Sequence, residues 1–108
     1  MTDLEWDRNF ALEQAGDDEE MLAELLELFS DSSASDLARI NDGLAAEDAV
    51  AVADAAHSIK GASASLGVEG VRKIASELEE QGRAGDLSRG RALAARLAAF
   101  LKAFDGRQ

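Results

Sequence analysis

Apolar residues recur in the first half of the chain at spacings of three and four positions, the repeat of one face of an α-helix. This repeat predicts a helix over residues 18–45, with Asp17 as its N-cap because a carboxylate there can accept from free backbone N–H groups. The polar run from Ser30 to Ser35 leaves a break in the middle of this helix open. The apolar line comprises Leu22, Leu25, Phe29, Ser33, Leu37, Ile40 and Leu44.

The same periodicity predicts four further helices, over residues 5–13, 48–66, 69–82 and 88–104. Trp6 and Phe10 lie four positions apart, so we expect them to cover one end of the core. Asp48 is the predicted N-cap of the helix over 48–66, and Gly67 is placed to end it as a C′ glycine.

The connections that follow are short. Gly82 is predicted to end the helix over 69–82, and Gly85 and Asp86 are predicted to form the next turn. Proline is absent from the chain, which favours helix throughout. Long amphipathic helices with short connections pack as antiparallel neighbours. The predicted fold is therefore all-α: a single domain, residues 1–108, forming an up-down-up-down four-helix bundle with a short additional N-terminal helix.

The chain has one histidine, His57, and the periodicity places it on the outer side of its helix. The inward stripe of that helix runs through Val52, Ile59 and Leu66, opposite His57. Gly61 shares the outer stripe, although glycine in an exposed helix costs about 1 kcal/mol relative to alanine. A glycine there makes sense if another protein must come close to the imidazole. An ordinary surface histidine is the alternative interpretation.

Charge and composition narrow the function classes. The net charge is −11, which argues against nucleic-acid binding because phosphate contacts need basic patches. Residues 1–54 carry a net −14 and residues 55–108 a net +3. Either this difference reflects only a solvated acidic face, or the half that contains His57 presents a basic surface to an acidic partner. There is no cysteine, no signal peptide and no long apolar run, and we expect a cytoplasmic protein. We also expect a stand-alone monomer; a domain cut from a larger kinase and a different oligomeric state stay open.

Residues 56–63 (AHSIKGAS) surround His57 and are followed by Leu-Gly-Val at 66–68. Residues 25–29 (LLELF) lie upstream, and residues 78–79 (LE) and 82–86 (GRAGD) lie downstream. In these stretches the sequence resembles the histidine-containing phosphotransfer (HPt) domain family. The resemblance implies a short helix plus a four-helix bundle. It also implies a carrier that shuttles phosphoryl groups between receiver-domain aspartates, or accepts them from a histidine kinase.

The resemblance also implies roles for individual residues. His57 is the expected phosphoacceptor, Lys60 supports the phosphate, Gly61 gives steric access, and Glu79 accepts a hydrogen bond from the second imidazole nitrogen. The spacing agrees for Glu79, which lies about 100° from the inward Leu78 on its helix. If Glu79 accepts from Nδ1–H, Nε2 becomes the nucleophile. No nucleotide-binding motif is present, so we expect a carrier rather than an enzyme. We also expect no cofactor in this chain, with Mg²⁺ supplied by the receiver.

A docking surface is predicted around His57, and two other functions stay open. The expected partner-binding residues are small, apolar or basic: Ala64, Ser65, Val68, Arg72, Lys73 and Arg83. A binding module that carries no phosphate would keep the bundle without needing the imidazole. An enzyme with His57 as general base has little support, because no carboxylate, serine or metal-ligand constellation forms a closed pocket around it. The acidic residues 17–20 lack the spacing of a calcium loop.

Overall fold

The computed structural model describes residues 5–105, and within that range the protein has five α-helices and no β-strand. Helix α2 packs on α3 and α5, and α4 packs on the same two helices, so α3 and α5 lie diagonally opposite each other. The short α1 packs on α2. This arrangement is the predicted all-α, up-down-up-down bundle. The helices are α1 (Arg8–Gln14), α2 (Glu19–Ala45), α3 (Ala49–Ser65), α4 (Glu69–Arg83) and α5 (Gly90–Asp105).

Helix α2 continues without a break through residues 30–35, the polar run at which an interruption of the helix was left open. Its inward line alternates with exposed positions throughout, and even Ser33 is buried at 1% exposure. The N-cap prediction was one residue early. Asp18, not Asp17, accepts from the backbone N–H groups of Glu20 and Met21. Asp17 instead adopts a left-handed conformation, with φ of 61°, in the turn from α1.

The cap predictions for α3 are confirmed. The Asp48 side chain accepts from the Ala51 N–H at 3.1 Å. At the other end Gly67 has φ of 69°, and the Val68 N–H bonds to the Ser63 carbonyl at 2.9 Å. This is the paired backbone arrangement that ends a helix with a left-handed glycine. It fixes the length of α3 and the direction in which the chain turns into α4.

Gly82 does not end its helix as predicted. It lies buried inside α4, where a Cβ would come within 2.8 Å of Ala53 Cβ and 2.9 Å of the Ala49 carbonyl oxygen. The missing side chain therefore lets α4 approach α3 closely. Gly85 follows with φ of 74° and forms the turn, as predicted. Helix α5 begins at Gly90, two residues later than expected.

The segment before α1 closes one end of the bundle. Trp6 precedes the helix that was predicted to contain it, and its Nε1–H donates to the Leu66 carbonyl at 3.1 Å. Its ring meets Phe104 edge to face, with centroids 4.8 Å apart. Phe10, by contrast, is partly exposed. None of the helices in the described part of the chain combines the length and apolar character needed to cross a bilayer.

Candidate functional site

His57 projects from the outer side of α3, and its side chain is 64% exposed. The opposite side of the same helix is fully buried, at Val52, Ala56 and Ile59. Since a helix turns about 100° per residue, burying those positions forces His57 outward. The predicted orientation is confirmed, and the imidazole stands on a rigid element where another molecule can reach it.

Glu79 contacts the imidazole from the neighbouring helix. Its Oε2 lies 2.8 Å from His57 Nδ1. The preceding residue, Leu78, is buried in the core, and this places Glu79 on the flank of α4 that faces α3. An ionised carboxylate only accepts hydrogen bonds, so Nδ1 is the donor in this pair. The lone pair of the neutral ring is then on Nε2, which points away from the carboxylate.

The Glu79 carboxylate also holds two cations, although its side chain is only 13% exposed. Lys60 Nζ lies 2.5 Å from Oε1 and forms an ion pair with it. Arg83 Nη2 is 3.6 Å from Oε2. Lys60 is the main cause of a lowered pKa of Glu79. Partial burial opposes this, and the hydrogen bond with His57 adds to the lowering. The carboxylate is therefore ionised at neutral pH.

Gly61 leaves open space one turn beyond His57. A Cβ built on it would meet no heavy atom within 4 Å, so the glycine is not required by packing inside this chain. Ala64 and Ser65, which follow on the same side, are exposed and small. The side chains that follow His57 on this side of α3 therefore leave the imidazole accessible.

Val68 corrects the predicted docking surface. Its side chain is fully buried, because the left-handed turn at Gly67 directs it into the core between α3 and α4. It cannot form part of an exposed surface. Helix α3 ends at Ser65, three residues before Val68, so Val68 does not share the outer side of that helix with Ala64.

The predicted basic docking residues are paired within the chain. Arg83 Nη1 lies 3.0 Å from Asp54 Oδ1, and through its other nitrogen Arg83 joins the Glu79 cluster. Arg72 pairs with Glu69 at 2.8 Å. Lys73 pairs with Glu5 at 2.6 Å, in the segment before α1. The structure thus brings Arg83 to the imidazole site, whereas the other two cations bind acidic neighbours elsewhere on α4 and on the N-terminal segment.

Two features beside His57 were missed by the sequence reasoning. Asp36 on α2 is buried, accepts from the Ser58 hydroxyl at 2.6 Å and from Arg39 at 3.1 Å, and so ties α2 to the residue after His57. Nothing in the periodicity distinguishes this carboxylate from an exposed one. The second feature is an apolar groove between α2 and α3, lined by Leu25, Leu28, Phe29, Ser32, Ala62, Ser65 and Leu66.

The sequence did contain a signal for the exposed apolar position of Leu28. Leu28 is 64% exposed, and with Met21 it extends the apolar side of α2 beyond Leu25 of the inward line. The apolar arc of α2 is therefore wider than its own core contact needs. Among residues 5–105, no three His, Cys, Asp or Glu side chains are placed to hold a metal ion.

Comparison with known proteins places the chain in a family. The Hpt domain family matches residues 24–106. Among solved structures, the chain is similar to the crystal structure of histidine-containing phosphotransfer protein B (HptB) from Pseudomonas aeruginosa PAO1. The sequences are 29% identical, the TM-score is 0.85, and the match covers 94% of this chain and 88% of that one. No curated protein matches the chain. With its outward histidine and its helical bundle, the chain belongs to the Hpt domain family and is a phosphotransfer carrier of phosphorelays.

Proposed function

We propose that the phosphoryl group is carried on Nε2 of His57, and that it is exchanged with the aspartate of a receiver domain. The observation that carries this proposal is the 2.8 Å contact between His57 Nδ1 and Glu79 Oε2. It assigns the ring proton to Nδ1, which leaves Nε2 with the lone pair that a nucleophile needs. The exposure of the ring gives a partner access to that atom.

The transfer step follows from this geometry. The Nε2 lone pair attacks phosphorus, the bond from phosphorus to the aspartyl oxygen breaks, and its electron pair leaves with the receiver's carboxylate. The imidazole gains positive charge, which the Glu79 carboxylate stabilises at 2.8 Å. Lys60, at the next turn of α3, supplies a cation for the phosphoryl oxygens once its ammonium turns from Glu79.

The partner supplies what this chain lacks. Phosphoryl transfer depends on positioning and charge neutralisation, commonly with Mg²⁺, and we place that ion and its acidic pocket on the receiver. The open stretch at Gly61, Ala64 and Ser65 and the adjoining apolar groove give the receiver a surface next to Nε2. On this proposal the chain is a monomeric carrier in the cytoplasm, with no nucleotide site of its own.

The test is transfer from a phosphorylated receiver to the purified chain, followed as acid-labile, base-stable phosphate. The wild-type protein should become labelled, and His57→Gln should not. Circular dichroism should show equal helix content in both, since His57 is exposed. Labelling of His57→Gln would place the acceptor elsewhere. Receiver binding without any labelling of the wild type would instead favour the phosphate-free binding module.

A further inference from the structure

Glu79 differs from a neutral hydrogen-bonding residue in one respect that bears on the phosphorylated state. An ionised carboxylate accepts hydrogen bonds and cannot donate, whereas a glutamine amide at the same place could do either. Nδ1 can therefore keep its contact with Glu79 Oε2 only while it carries a proton. The Glu79 side chain is only 13% exposed, and Arg83 Nη2, 3.6 Å from Oε2, stays beside the carboxylate when Lys60 turns toward the phosphoryl oxygens. It has little freedom to turn away from the ring.

We propose that Glu79 retains the proton on Nδ1 of phosphorylated His57 and thereby keeps the phosphoryl group in a readily transferable, short-lived form. This inference rests on the proposed function and adds the regulation of the same site. It makes the protein a relay that passes its phosphoryl group on quickly rather than a store that holds it.

The chemistry depends on the group that leaves phosphorus. When a receiver carboxylate attacks, the bond from phosphorus to Nε2 breaks and its electron pair returns to Nε2. If Nδ1 carries a proton, the leaving group is a neutral imidazole. If Nδ1 has lost its proton, the leaving group is an imidazolate anion, which is a far poorer one. With Nδ1–H retained, uptake and donation are the reverse of each other, and no proton moves in either direction.

Among the other charged groups near the ring, carboxylates favour a proton on Nδ1 and cations oppose it. On α3, Asp54 and Lys60 lie one turn from His57 on either side; on α4, Arg83 stands behind Glu79. On α2, Asp36 is already bound by Ser58 and Arg39. Asp54 is paired with Arg83, and Asp36 is paired with Arg39. Glu79, by contrast, contacts the ring directly, with Oε2 2.8 Å from Nδ1. It therefore dominates proton retention on Nδ1.

The experiment compares wild type with Glu79→Gln, using Glu80→Gln as a matched control. Glu80 is the exposed next residue on α4, and its replacement removes the same charge without touching the ring. Each protein is loaded with phosphoramidate, excess donor is removed, and phosphohistidine decay is followed by ³¹P NMR across a pH series. Transfer to a receiver is followed in parallel.

At about pH 8, where an unassisted imidazole has lost its proton, Glu79→Gln should keep its phosphoryl group about tenfold longer than wild type. Its donation to the receiver should fall by a similar factor, and Glu80→Gln should behave as wild type. The decay rate of Glu79→Gln should drop at a lower pH than that of wild type. Equal lifetimes and equal pH profiles in loaded wild type and Glu79→Gln would overturn the proposal.

A second measurement does not depend on loading the variant. In phosphorylated wild type labelled with ¹⁵N, Nδ1 should still carry a proton at about pH 8. A deprotonated Nδ1 there would also overturn the proposal. Absence of any phosphohistidine in the wild type is a different result, because it would refute the proposed function rather than this inference.

Discussion

At the scale of single residues, two helical glycines have opposite surroundings, and only one of them is explained by the fold. Gly82 is enclosed by α3, whereas a side chain at Gly61 would meet nothing within 4 Å. A helix interior without an internal reason for glycine is destabilised by roughly 1 kcal/mol relative to alanine. The proposed function supplies the reason, since the partner needs the space beside His57.

Gly61→Leu should separate stability from function. We expect the free energy of unfolding to stay equal or to rise by about 0.5–1 kcal/mol, because leucine is the better helix former and the site is open. Transfer from a phosphorylated receiver should fall by about tenfold or more, because the side chain occupies the approach to Nε2. Urea denaturation and a transfer assay measure the two effects.

Ala95→Leu on the outer face of α5 is the control for that experiment, because the site is exposed and lies on the helix diagonal to α3. It should leave transfer unchanged. Undiminished transfer in Gly61→Leu would show that the open space at this position has no part in docking.

Glu79 also predicts a pH dependence of stability. Its pKa lies below the ordinary value of 4.5, mainly because of Lys60, with the hydrogen bond to His57 adding to the effect. A carboxyl group whose pKa is lowered by folding stabilises the fold above its unfolded-state pKa and loses this contribution as pH falls through the folded-state value. Between neutral pH and about pH 3, Glu79→Gln should therefore lose less unfolding free energy than wild type. Parallel curves in urea titrations across this range would contradict the prediction.

The helical face on which each site residue lies could be predicted from the sequence, whereas the choice of ion-pair partners could not. The outward direction of His57 and the place of Glu79 on the flank of α4 followed from periodicity, because burial of Ile59 and Leu78 fixes the rotation of both helices. The involvement of Arg83 in the carboxylate cluster did not follow. It depends on which of several acidic neighbours a long flexible side chain selects, and periodicity carries no information about that choice.

At the scale of the helices, the close packing of α4 on α3 determines whether Glu79 reaches His57. Gly82 lies one turn after Glu79, in contact with Ala53, which itself lies one turn before His57. The absent side chain thus controls the distance between the two helices next to the imidazole site. Stability and site geometry depend here on the same contact.

Gly82→Ala should destabilise the protein by about 1–3 kcal/mol, because the added methyl group would come within 2.8 Å of Ala53 Cβ and 2.9 Å of the Ala49 carbonyl oxygen. The control is Gly61→Ala, the same change in open space, which should stabilise by about 1 kcal/mol. Urea denaturation of both variants measures the difference. A neutral Gly82→Ala would mean that α3 and α4 separate without cost.

Helix existence was readable from the sequence, whereas several boundaries were not. The repeat along α2 predicted the helix despite its serines, since Ser33 occupies an inward position with little volume. The choice between Asp17 and Asp18 as cap depended on the left-handed turn at Gly16 and Asp17, which adjacent aspartates do not reveal. Val68 was misplaced because an apolar residue near His57 in the sequence was expected on the surface, whereas the left-handed turn at Gly67 directs its side chain into the core.

At the scale of the whole molecule, the net charge of −11 should make stability depend on salt. Like charges in a compact state repel one another, and added salt screens that repulsion. Raising sodium chloride from about 10 to 200 mM should therefore increase the melting temperature by a few degrees. A fall would mean that the ion pairs between helices, such as Lys60 with Glu79, outweigh the repulsion.

The position of His57 also limits how the proposed relay can run. The proposed acceptor atom lies on the single histidine, on the outer side of α3 and away from the diagonal helix α5. Every partner must therefore bind over the same small area. A donor has to depart before an acceptor can arrive, which imposes a ping-pong order on the exchange. Throughput is then governed by how fast each complex dissociates. A mutation that slows dissociation of one receiver should consequently slow phosphoryl transfer to every other receiver.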